Sequence, residues 1–198
     1  MQETHRKTLK MVQLAILAAL VVVLQLVGSS IHVGPVSFSL VLIPIVVGAA
    51  VYGVSAGAWL GFVFGVVVTI AVVTGADQGG YIMFSARPVM TVLVCLIKGT
   101  AAGLVAGALY RAIGKKHALA GVIVAAAAAP VVNTGLFVLA MVLFYQPQLQ
   151  AWAGGTAVAA YIVTTLVGVN FLLELGVNLV LSPTITRLIA AGKKGPVD

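Results

Sequence analysis

The sequence predicts an all-α polytopic membrane protein with six transmembrane helices and both termini cytoplasmic. Three observations carry this expectation. Of 198 residues, 62% are hydrophobic and only 8% charged, against roughly 45–50% and about 25% in soluble domains. The apolar residues form runs long enough to cross a bilayer, which takes about 20 residues at about 1.5 Å each. The net charge of +7 is concentrated in short clusters between those runs. A 20.2 kDa chain cannot hide so much apolar surface inside itself, because small domains leave a large fraction of their surface exposed. Soluble enzymes, nucleic-acid binders and disordered chains are therefore poor descriptions, and the lipid bilayer is the first partner.

The runs divide residues 1–198, read as one domain, into spans at 8–27, 40–52, 56–74, 88–113, 119–145 and 157–191. The basic N-terminus followed by apolar residues has the look of a secretory signal. However, the run from Met11 to Val27 is long for such a segment and "LQLVGSS" is a weak cleavage context, so it counts as the first span. The second span is short and the last long, which points to tilt or an interfacial extension. Between the second and third, Gly53 and Ser55 in "YGVSAG" permit a tight turn.

Positive charge sets the orientation. Arg6, Lys7 and Lys10 precede the first span, Arg111, Lys115 and Lys116 follow the fourth, and Arg187, Lys193 and Lys194 end the chain. With six crossings, nine of the eleven cations share the cytoplasmic side, as the bias of Lys and Arg toward that side requires. The outer loops, 28–39, 75–87 and 146–156, hold one cation, Arg87. An odd number of spans would split the clusters across the membrane.

Small residues recur every four positions: Gly57, Gly61 and Gly65 in the third span, Gly99, Gly103 and Gly107 in the fourth, and Ala15 with Ala19 in the first. Such rows let helix backbones approach closely in lipid, where packing replaces the hydrophobic drive. Internal packing accounts for the glycines; for Ala15 and Ala19, docking to another membrane subunit competes with it.

Charges inside spans are costly and usually face a cavity or a partner. Lys98 lies roughly 15 Å into the fourth span, near mid-membrane. Glu174 lies in the sixth, with Asn170 and Asn178 one turn to either side on the same face. Asn133 follows Pro130 in the fifth, where the proline removes a backbone donor and invites a kink. Counted from the outer ends, Lys98, Asn133 and Asn170 fall at similar depth, so spans four to six can converge on one polar cavity open to the outside. Arg87 sits at its outer mouth beside Pro88, and Tyr81 is close enough to serve as a lid. Duller roles stand beside these: an ion pair for Lys98 and Glu174, interhelical hydrogen bonds for the asparagines, and a headgroup anchor for Arg87. Gln25 and Asn178 read as packing groups, and Cys95 as a small core residue.

No metal-ligand spacing, Walker loop or mid-membrane Ser–His pair appears in the sequence, so neither a metal, a cofactor nor an enzymatic activity is expected. Active transport would then need an ATPase on another subunit.

These residues bring a family into view. The chain resembles the substrate-binding S component of energy-coupling factor (ECF) vitamin transporters of prokaryotes. The likeness rests on the six spans, Ala15 and Ala19 in "LAILAAL", "VSFSLVLIPIVVGAAVYGVSAGAWLGFVFGV", and "SARPVMTVLVCLIKGTAAGLVAGALYR" followed by "APVVNTGLF". It implies a multi-pass protein of the cell membrane that works with a transmembrane scaffold subunit and two ATPases. Ala15 and Ala19 would dock on the scaffold, and a vitamin-type molecule would bind among Tyr81, Arg87, Lys98, Asn133, Asn170 and Glu174. The S component would then topple to carry its ligand inward. Two cations against one carboxylate, with few aromatics, suit an anionic, mostly aliphatic vitamin, and pantothenate fits best. The rival reading is an autonomous secondary transporter or channel with Lys98 and Glu174 as a coupling pair.

Overall fold

The computed structural model describes residues 2–28, 32–33, 36–37 and 41–193, with the side chains of 7–28, 41–168, 171–187 and 189–190. Helix α1 (Gln2–Gly28) leads into a minimal antiparallel hairpin, β1 (His32–Val33) and β2 (Val36–Ser37). Next come α2 (Leu42–Tyr52), α3 (Val54–Val73), α4 (Gln78–Ala86), α5 (Pro88–Ile113), α6 (Ala118–Phe144) and α7 (Gln146–Ala153). The last crossing is composite: α8 (Val158–Tyr161), a π-helical stretch at Ile162–Val169, and α9 (Asn170–Lys193). Five segments are long and apolar enough to cross a membrane, and α2 is a shorter apolar helix. Together they make the six expected spans, within a few residues at most ends.

Local chemistry explains the boundaries. Gly53 takes φ 96°, in the left-handed region that favours glycine, and its N–H donates to the Ala49 carbonyl. This closes α2 and turns the chain directly into α3. Pro88 opens α5, where its missing N–H costs no intrahelical bond. Pro130 lies inside α6, yet the helix continues through it from Ala118 to Phe144.

Two outer connections expected as loops contain helices. At α4, the Asp77 carboxylate accepts the Gly80 N–H at 2.9 Å, an N-cap that starts the helix. At α7, Pro147 stands in the first turn and Gly154, at φ 56°, ends the helix in the left-handed conformation. Both are too short and too mixed in polarity to stand out by hydropathy.

The central contact joins α3 and α5, whose glycine rows meet back to back and antiparallel. A Cβ placed on Gly57 would lie 2.6 Å from the Gly103 carbonyl oxygen, and one on Gly65 would lie 2.7 Å from that of Cys95. Gly61 and Gly99 face each other's backbone more closely still. Around this seam one apolar cluster joins α1, α2, α3, α5, α6 and α9 through Val21, Ile45, Leu60, Ala102, Val122 and Ile185. A second, outer cluster gathers Met83, Met141, Tyr145, Leu149 and Leu166. Because backbone atoms leave the seam no room to yield, Gly61→Val is expected to destabilise the protein by about 1–3 kcal/mol or more, read as a lower unfolding midpoint in detergent. Gly135→Ala, where nothing lies within 4 Å, should leave that midpoint unchanged or raise it by up to about 1 kcal/mol.

Candidate functional site

A cavity lies between the two apolar clusters. Val68, Val72 and Cys95 of the inner cluster form its floor, and Met83 and Leu166 of the outer cluster, with Trp152 of α7, form its roof. The space between atoms, its opening included, is about 760 Å³.

Four charged or amide side chains from four spans line the cavity: Gln25 from α1, Lys98 from α5, Asn133 from α6 and Glu174 from α9. Lys98 is half-buried, with Nζ 5.7 Å from the Phe64 ring centre and 5.6 Å from that of Phe137. The negative ring faces attract the ammonium and offset part of the cost of placing a cation at this depth. The Asn133 side chain is 5% exposed and that of Gln25 2%, and neither amide oxygen has a hydrogen-bond partner among the described residues. Buried polar groups are normally hydrogen-bonded, so two spare acceptors at one cavity favour a guest that donates to them.

The outer end of the cavity is held by hydrogen bonds. The Tyr145 and Thr91 hydroxyls lie 2.8 Å apart, and both reach the Arg87 carbonyl, at 3.3 and 3.0 Å. This ties the end of α6 to the start of α5.

Of the residues expected at the site, Lys98, Asn133 and Glu174 come together at one cavity. Arg87 and Tyr81 do not line it: Arg87 is exposed at the junction of α4 and α5, and Tyr81 is 49% exposed on the outer surface of α4. The Asn170 side chain lies outside the described residues. Asn178 stays apart from the cavity; its Nδ2 donates to the Glu174 carbonyl at 2.7 Å and its own carbonyl accepts the Ser182 hydroxyl. Sequence reasoning missed Asp77, Thr91 and Trp152 as lining residues, although Asp77 is of the residue type that favours a helix N-cap. It also took Gln25 for a packing group.

A family model described as "ECF transporter, substrate-specific component" matches residues 9–186. The chain belongs to this family. No curated protein and no solved structure matches it. As an S component it is a membrane-embedded, substrate-capturing part of a transporter, a class of transport protein rather than of enzyme, and the family implies scaffold and ATPase subunits beside it.

The Tyr145–Thr91 contact generates a prediction. Tyr145→Phe, which removes one hydroxyl from the junction, is expected to cost about 1 kcal/mol of stability, measured as a lower thermal unfolding midpoint in detergent.

Proposed function

We propose that this S component captures a vitamin from outside a prokaryotic cell and hands it to an ATP-driven assembly, with pantothenate as its ligand. One observation supports the reading above others: a cation, a carboxylate and a spare amide oxygen, on three different spans, face a single cavity within a family that binds substrates for uptake. The Lys98 ammonium would leave its aromatic slot to pair the ligand carboxylate, a charge-assisted bond that strengthens away from water. Asn133 would accept from a hydroxyl or amide of the ligand, and Glu174 and Asn170, one turn apart on α9, would complete the polar wall. Arg87 and Tyr81, exposed at the outer end, would draw an anion toward the mouth.

Ala15 and Ala19 are exposed on α1, where small side chains leave room for a partner helix to approach. In the proposed assembly this face docks on the transmembrane scaffold, and two ATPases supply the work.

Saturable binding of tritiated pantothenate by the purified protein is the direct test. Lys98→Met should weaken it roughly ten- to hundredfold, the range for a hydrogen bond to a charged group. Leu at Ala15 or Ala19 should spare binding and abolish uptake by cells that carry scaffold and ATPases. Absence of binding for every vitamin in a broad panel would remove the reading. Ion-gradient-driven transport by the protein alone in liposomes would replace it with an autonomous transporter coupled through Lys98 and Glu174.

A further inference from the structure

Helix α1 holds to the rest of the bundle by a narrow strip. In its outer half only Val21, Gln25 and Gly28 are buried, at the spacing of one helix face, while Leu20, Val23, Leu26 and Val27 are exposed. Gln25 occupies the middle of that strip. An apolar side chain there would pack as Val21 does; an amide at this depth is costly unless it is hydrogen-bonded. Yet the Gln25 side-chain oxygen has no hydrogen-bond partner among the described residues, and the side chain lines the cavity together with Lys98 and Asn133. Gln13, in the inner half of the same helix, shows the contrast. Its Oε1 accepts the Tyr52 hydroxyl at 2.6 Å, which fastens that half of α1 to the end of α2.

We propose that Gln25 is a ligand-contacting residue, so that an occupied cavity clamps the outer half of α1 against the bundle. The proposal rests on the reading of the cavity as a capture site and narrows the chemistry of its guest. An anionic group meets Lys98 on α5. Two separate hydrogen-bond donors, hydroxyl or amide N–H, then meet the spare oxygens of Asn133 on α6 and Gln25 on α1. The guest is a hydroxylated or amide-bearing carboxylate that spans from the fourth helix crossing to the first. Bound, it supplies α1 with the outer polar tie that Tyr52 supplies at the inner half.

Gln25→Met tests this, because methionine keeps the unbranched shape and loses the amide. Binding is measured with tritiated pantothenate and with a panel of riboflavin, thiamine, biotin, folate and niacin. Unfolding of the unliganded protein and hydrogen exchange along residues 20–28 are measured in parallel. Expected is a roughly three- to tenfold weaker binding of the vitamin that the wild type takes, with no fall in the unliganded unfolding midpoint. The slowing of exchange in residues 20–28 caused by that vitamin should disappear in the variant. Gln25→Asn, which keeps the amide but withdraws it by one methylene, is the second variant and should also weaken binding. Unchanged affinity in both variants overturns the proposal, as does a lowered unliganded midpoint with intact affinity, the mark of a purely structural amide. A wild-type protein that binds nothing in the panel overturns the capture reading itself and this inference with it.

Discussion

The contact of α3 with α5 sets the geometry on which the candidate site depends. Six glycines in two rows bring the helix backbones together so closely that a single added methyl would meet a carbonyl oxygen. In hydrocarbon, where apolar surface gains nothing by leaving lipid, such close packing is a main source of helix association. It also fixes rotation. With Gly99 turned into α3, Lys98 stands about 100° around α5 and enters the cavity. Phe64, beside Gly65 in the facing row, meets its ammonium from across the seam. The aromatic slot of the lysine thus follows from where the glycines sit.

The cavity exists because the interior is built as two apolar clusters rather than one. The inner cluster is a continuous packing of six helices, α1 included through Val21, whereas the outer one depends on α4 and α7, short helices that cover the bundle from the loops. The polar side chains gather at the level between them. Each has been taken out of water at a cost, and the hydrocarbon outside offers no hydrogen bond in return. Facing one another around a shared space is the arrangement that leaves them able to meet a polar guest.

The spans were legible because lipid imposes a minimum length on an apolar helix. The meeting of Lys98 and Asn133 was legible from their similar depth, and that of Glu174 from the cost of a charge in lipid, which directs it inward. What the sequence left open was rotation. A membrane helix is apolar on every face, so α1 carries no periodic stripe to distinguish the buried side of Gln25 from its neighbours on the lipid side. Arg87 was expected at the outer mouth, before Pro88, and it is exposed at the junction of α4 and α5 without lining the cavity. Asp77 looked like one acid in a polar loop, and only its capping of α4 draws it to the cavity wall.

The single cysteine of the chain is a wall residue of the cavity, 5% exposed and in contact with the inner cluster. The sulfur is protected by its location rather than by a bond. Anything that pries the wall apart admits reagent to it. The protein therefore carries a native reporter: the rate at which a small uncharged maleimide finds that one sulfur gauges how often the chamber opens, with no engineered label and no background from a second thiol.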